Sequence, residues 1–150
     1  MCKHAIENVG SIVALAAGAL LMAGCGPIPE NRVDPPGVEA HDVVAAYLAD
    51  FDAARETYKD AIVNVAGVVV WSMRHHQLPE LADVLIIVED GHQISAVFEG
   101  NHVQEGLALA KDDRVSIKGR LSINGSVVYR EKVILHLLDC ELVQKTQPGP

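Results

Sequence analysis

The chain has 150 residues, with 12 Lys and Arg against 20 Asp and Glu, a formal charge of −8. That length suits one small domain and a tether, and a domain this acidic repels phosphate backbones, which argues against nucleic acid as a partner. Three cysteines and six aromatic residues (one Trp, two Phe, three Tyr) give neither a disulfide scaffold nor many rings on which bases could stack.

Lys3 and His4 lead into an apolar segment, Ser11 to Ala23, that ends in Leu20-Leu21-Met22-Ala23-Gly24-Cys25. A charged head, an apolar middle and a small-residue cleavage site make a secretory signal. Glycines 10, 18, 24 and 26 and Pro27 interrupt the run and no cationic stop follows, which argues against a transmembrane span. The Ala-Gly-Cys ending resembles a bacterial lipobox, with Met22 where leucine is commoner. The resemblance implies cleavage after residue 24 and acylation of Cys25, a membrane anchor gaining about 0.8 kcal/mol per buried CH₂. It implies a lipid-anchored place in the bacterial cell envelope, and Gly26, standing where an aspartate would favour the inner membrane, leans towards the outer membrane facing the periplasm. Cys2 leaves with the signal, so Cys140 is then the sole thiol. It lies in the apolar run Val133 to Val143, between Asp139 and Glu141, a setting that predicts burial rather than reactivity.

Residues 25–37 hold Pro27, Pro29, Pro35 and Pro36 and read as an extended tether. Val38 to Asp60 reads as one helix, with Val43, Val44, Tyr47, Leu48, Phe51 and Ala54 at three- and four-residue spacing. Tyr47, Phe51 and Tyr58 suit anchoring that helix to a sheet better than an aromatic binding box. Ala61 to Trp71 is a valine-rich strand with Gly67 marking a bulge or bend. Ser72 to Leu81 is a loop, Asp83 to Val88 a second strand, Glu89-Asp90-Gly91-His92 a hairpin turn and Gln93 to Phe98 a third strand. Gly100 to Ala110 is a connector with room for a short helix. Arg114 to Ile123 alternates cleanly, Asn124-Gly125 is a two-residue turn signal, and Ser126 to Arg130 with Val133 to Val143 completes the last strand. Residues 144–150 read as a polar tail. Five short strands with glycines in the first and fourth predict a small, strongly coiled barrel.

Three stretches carry a family resemblance. Tyr58-Lys59-Asp60 runs into Val63-x-Val65-x-Gly67-x-Val69; Leu109-x-Lys111-x-Asp113-Arg114-Val115-x-Ile117-Lys118-Gly119 follows; Leu135-x-Leu137-x-Asp139-Cys140-x-Leu142 closes the chain. Over residues 40–143 the sequence resembles the tRNA-anticodon-binding-like group of bacterial OB-fold proteins, many of them assigned as lipoproteins. The resemblance implies a mainly β fold, a five-stranded OB-fold barrel preceded by one N-terminal α-helix, in a domain of residues 38–143. It carries over no catalytic residue. Asp112-Asp113 stands where that group has Gly-Asp, and the stretch Leu121 to Lys132 is longer, which predicts a protruding hairpin.

OB barrels bind on the face of their second and third strands, flanked by the loops joining strands one and two and strands four and five. Here that implies a ligand face drawing on Trp71, Arg74, His75, His76, Ser95 and Tyr129, with Gln93, Val97 and Arg130 beside them. Lys118 and Arg120, with Arg114, form a basic stripe on strand four, which reads more simply as a solvated face. His75, His76, His92 and His102 lack any His-x-His or Glu-x-x-His spacing, so no metal or other cofactor is expected, and His136 reads as a core histidine. Asp83, Glu89, Asp90 and Glu99 sit at strand ends and turns, and no Gly-x-Ser-x-Gly, phosphate loop or dinucleotide fingerprint is present. The expectation is a lipid-anchored envelope lipoprotein, not an enzyme, whose barrel binds a protein or glycan partner. The alternatives are binding of single-stranded nucleic acid or another anionic ligand, and a structural spacer in an envelope assembly.

Overall fold

The structure, a computed structural model, describes residues 37–147; the signal 1–24, Cys25 and all but the last residue of the tether lie outside them. Val38–Glu39 forms a two-residue strand, β1, followed by helices α1 (Ala40–Ala49) and α2 (Phe51–Thr57). The expected single helix from Val38 is therefore corrected twice, at its start and in its middle. Asp50 divides it: its backbone is extended (φ −155°, ψ 100°), and its carboxylate accepts the Ala53 N–H at 3.0 Å, capping α2. A capping aspartate offers the backbone a competing partner inside a helical pattern.

The strands are β2 (Ile62–Arg74), β3 (Leu81–Ile87), β4 (Gln93–Glu99), β5 (Arg114–Tyr129) and β6 (Lys132–Thr146), with α3 (Val103–Leu107) between β4 and β5. They pair in the order β2-β3-β4-β6-β5, and β2 pairs again with β5, so five strands close a barrel; β1 adds to the outer edge of β2. The β4–β6 pairing is parallel and the other barrel pairings are antiparallel. The mainly β, closed five-stranded barrel expected of an OB fold is what forms. Val63, Val65, Ile86, Ile94, Phe98, Ile117, Leu121, Leu135 and Leu137 fill it, each 1% exposed or less, and Val43 and Tyr47 of α1 belong to the same core. Tyr47 packs edge-on against Phe51 with ring centroids 5.5 Å apart, so these aromatics anchor the helices.

Gly67 keeps regular pairing with Val115; the β-bulge lies between Val69 and Trp71 instead. What Gly67 permits is close approach, since a β-carbon there would sit 2.5 Å from Ile86 Cγ2 and 2.7 Å from the Ile87 carbonyl. The Asn124-Gly125 signal is also corrected. β5 runs through it, and the hairpin turns at Arg130 and Glu131, both with positive φ (47° and 63°). Asn124-Gly125 instead lies in a wide bulge, where the register slips between Ser122 and Val127. Ser126 locks that bulge, its hydroxyl donating to the Ser122 carbonyl at 2.8 Å and accepting the His136 N–H at 3.0 Å. β6 extends to Thr146, into the expected polar tail.

Candidate ligand face of the barrel

Strand pairing sets four side chains in one row on the outside of the barrel. Trp71 of β2 pairs with Leu85 of β3, Leu85 with Ser95 of β4, and Ser95 with His136 of β6. The last two members of this row are also joined by chemistry, His136 Nδ1 lying 3.3 Å from Ser95 Oγ. His136 is thus half-buried on the outer face rather than in the core. Burial holds its pKa below the ordinary histidine value, with the Asp83 carboxylate opposing.

Beside this row, Val68 pairs with Ile87 and Met73 with Asp83. Val68, Trp71, Met73 and Ile87 are all exposed, Trp71 at 38% and Met73 at 53%. The face is therefore an aliphatic and aromatic stripe across β2 and β3. The sequence signal for Leu85 and Ile87 was a strand apolar on both of its faces, which marks an outer surface that is not merely solvated.

The other expected residues divide by role. Arg74 donates to the Pro79 carbonyl, and the His75 Nδ1 accepts the N–H groups of Gln77 and Leu78 at 3.2 and 3.1 Å. Both side chains thereby build the 75–80 loop at one end of the stripe. His76 stacks on His75 with centroids 5.2 Å apart and is exposed. Tyr129, 61% exposed, stands at the tip of the β5–β6 hairpin with the Arg130 guanidinium 5.1 Å over its ring.

Lys118 and Arg120 lie elsewhere, on β5 where it pairs with Asn64 and Ile62 of β2. Lys118 Nζ is 2.8 Å from Glu141, and Arg120 binds Asp139 at 2.6 Å and Asp60 at 3.4 Å. Lys118 and Arg120 are matched by carboxylates and are not brought together with Trp71, whereas Arg114 pairs with Val68. Of the histidines, His102 pairs with Glu105 at 2.9 Å, pulling that carboxyl below its ordinary pKa. Among the described residues no three His, Cys, Asp or Glu side chains converge on a cation site, and no helix is long and apolar enough to cross a membrane. Cys140 is buried, and burial pushes its thiol up to about 12.

Comparison with known proteins gives three findings. The model of the family described as tRNA_anti-like matches residues 11–133. No curated protein matches the chain. Among solved structures, the crystal structure of a protein assigned as an aspartyl-tRNA synthetase from Leishmania major Friedlin aligns over 83% of this chain and 24% of its own, with a TM-score of 0.44 and 9% identity. This chain spans about a quarter of that structure's length.

Proposed function

Since the chain belongs to the tRNA_anti-like family, a group whose fold alone names no ligand, we propose that its barrel is a non-enzymatic binding module for a protein or glycan partner. In this reading the module is held at the bacterial cell envelope by acyl chains on Cys25. The observation that carries the binding reading is the exposed stripe Val68, Trp71, Met73 and Ile87 on the outer face of β2 and β3. Apolar side chains of this kind gain by leaving water against a complementary surface, and Trp and Met are enriched in interface cores.

Single-stranded nucleic acid is the weaker reading. It needs a basic groove beside stacking rings, whereas Lys118 and Arg120 are paired with Glu141, Asp139 and Asp60. A short single-stranded oligonucleotide titrated at about 50 mM salt is expected to show no binding; tight binding with a steep salt slope would reverse the order of the two readings.

The deciding experiment is photo-crosslinking in cells from positions 75, 95 and 129 of the full-length protein, with mass spectrometry of the adducts. One discrete protein adduct supports the binding-module reading and identifies its partner; an adduct with nucleic acid, or turnover of envelope substrates by the purified chain, overturns it. Acylation is tested separately, by mass spectrometry of the processed protein and of its Cys25→Ser variant.

A further inference from the structure

β2 changes neighbours along its length, and the change leaves a gap. Towards β5 its odd-numbered residues carry the ladder: the Val69 N–H donates to the Asp113 carbonyl at 2.9 Å, and the Ala61 carbonyl accepts the Leu121 N–H at 2.8 Å. In an antiparallel pair the intervening residues turn their N–H and C=O to the opposite edge. On that edge Asn64 pairs with Glu39 of β1, and the β3 ladder begins at Val68 with Ile87. Ala66 falls between the two and pairs with neither. By the same alternation its N–H and C=O turn towards that edge, where Ala66 lines a pocket of about 270 Å³ between α1, β2 and the β3–β4 turn.

Two further features define what the pocket would accept. His92 lines it and is only 7% exposed. Its Nδ1 accepts the Val133 N–H at 3.1 Å, which places the proton of the neutral ring on Nε2. That Nε2–H has no partner among the described residues. Glu39, Glu89 and Asp90 also line the pocket, and no Lys or Arg does. Glu39 accepts a hydrogen bond from Asn64 Nδ2 at 3.1 Å, and Lys132 donates to the Asp90 carbonyl from outside the lining. Val44, Ala45 and Leu48 of α1 supply an apolar wall.

An occupant must therefore present an extended backbone to Ala66, an acceptor to the His92 Nε2–H, and positive charge to three carboxylates. We infer that this pocket takes a short, extended, basic peptide segment of a partner protein, added as a strand to the open edge of β2 at Ala66 with a Lys or Arg side chain among Glu39, Glu89 and Asp90. Main-chain bonds at a sheet edge give such an addition affinity, and side-chain pockets give it selectivity. The site adjoins the Val68–Ile87 end of the apolar stripe but does not depend on it.

The test uses the full-length protein and the capped peptide acetyl-Val-Lys-Val-Lys-Val-amide at low salt, followed by amide and histidine ring NMR. Saturable shifts of the Ala66 amide and the His92 ring are expected, at least tenfold weaker for the peptide with Glu in place of Lys. The double variant Glu89→Gln/Asp90→Asn, in an exposed turn, is expected to weaken binding at least threefold while leaving the spectrum folded. Ala66→Pro, which removes the N–H on that edge and also fixes φ within β2, is expected to abolish binding with the β2–β5 amide shifts retained. Equal binding of the Glu peptide, shifts confined to the Trp71 face, or no shifts up to millimolar peptide would overturn the inference. So would an Ala66 amide already protected from exchange in the free protein and exposed by deleting residues 1–36, because the chain itself would then fill the pocket.

Discussion

Gly119 of β5 and Cys140 of β6 share one volume: a β-carbon on Gly119 would lie 2.6 Å from the Cys140 sulfur, 3.1 Å from Leu137 Cβ and 3.2 Å from the Leu138 carbonyl. The pair explains both residues. β6 gains one residue on β5 between Lys118 and Arg120, with Asp139 at φ 52°, and this bulge turns the Cys140 side chain into the core, where it is fully buried. The thiol fills the space that a side chain on residue 119 would need. Gly119→Ala is expected to cost about 1–3 kcal/mol through overpacking. Combined with Cys140→Ala it should cost less than the two single changes added, because one substitution makes room for the other. Urea unfolding of the four proteins measures the coupling. In a Cys2→Ser, Cys25→Ser background the thiol, raised to about 12 by burial, should resist thiol reagents at pH 8 until the protein unfolds; prompt labelling of the folded protein would contradict this packing.

The β5–β6 hairpin carries the second prediction. Arg130 and Glu131 both adopt positive φ, which suits Asn-Gly far better than two long side chains. Replacing Arg130-Glu131 by Asn-Gly should stabilise the protein by about 1 kcal/mol or more. Gly125→Ala should destabilise it, since the added carbon would meet the His136 ring at 2.7–2.8 Å. Thermal unfolding of both variants decides whether the turn lies at 130–131 or at the Asn-Gly.

These same residues show what was legible in the sequence. Strand identity was, because inward Val115, Ile117 and Leu121 alternate with outward Ser116, Lys118 and Arg120. The Asp90-Gly91 turn was also legible, for it forms where the dipeptide falls, with φ of 59° and 73°. Asn124-Gly125 carries the same local signal, yet the Ser126 hydroxyl bonds to Ser122 and His136 hold it as a bulge. Those partners are supplied by tertiary structure and leave no local trace. The candidate face was half legible. Trp71 and Ser95 could be placed on it by counting along strands, whereas the locking of Arg74 and His75 into the 75–80 loop, and of Lys118 and Arg120 into ion pairs, depends on partners that spacing does not specify. The opening at Ala66 exists only because β1 stops and β3 starts at particular register positions, which no residue pattern announces.

Asp112 and Asp113 behave differently although they are adjacent. Asp112 sits at φ 70°, in the left-handed region where a glycine carries no steric penalty, and its N–H donates to the Val69 carbonyl at 2.8 Å. Asp112→Gly should therefore be neutral or stabilising by up to about 1 kcal/mol, and Asp112→Val should cost about 1–2 kcal/mol. The denaturant midpoint is expected to fall for Asp112→Val and to stay level or rise for Asp112→Gly.

Asp113 is only 4% exposed. Its carboxylate accepts from Lys145 Nζ at 2.7 Å and from the Ala110 N–H at 2.8 Å, and the lysine first and the amide second hold its pKa below the ordinary aspartate value. A carboxyl depressed by folding binds protons more weakly in the native state. Its stabilisation is thus complete above the unfolded value of about 3.9 and is lost as pH falls through the lower folded value. Asp113→Asn should lower stability near neutral pH by about 1–2 kcal/mol and flatten the acid side of the stability–pH curve, so that the two curves converge as pH falls through the lower folded value. A constant difference at all pH values would mean that the residue acts through packing alone.

Trp71 is the chain's single tryptophan and stands on the outer stripe at 38% exposure, so its emission reports directly on that face. In the free protein acrylamide should quench it readily. Seating a partner on the stripe should shift emission to the blue and protect it, because the indole then leaves water. Met73→Thr, beside it and half exposed, removes apolar surface without opening the core and sets no second carboxylate opposite Asp83. It should leave stability within about 0.5 kcal/mol while reducing partner capture from the crosslinking positions at least tenfold, as expected for loss of a side chain at an interface centre. Lys118→Gln, on the ion-paired side of β5, should leave capture unchanged. If Lys118→Gln abolished capture and Met73→Thr did not, the functional face would be the β5 side of the barrel, and the stripe would be left as unoccupied surface.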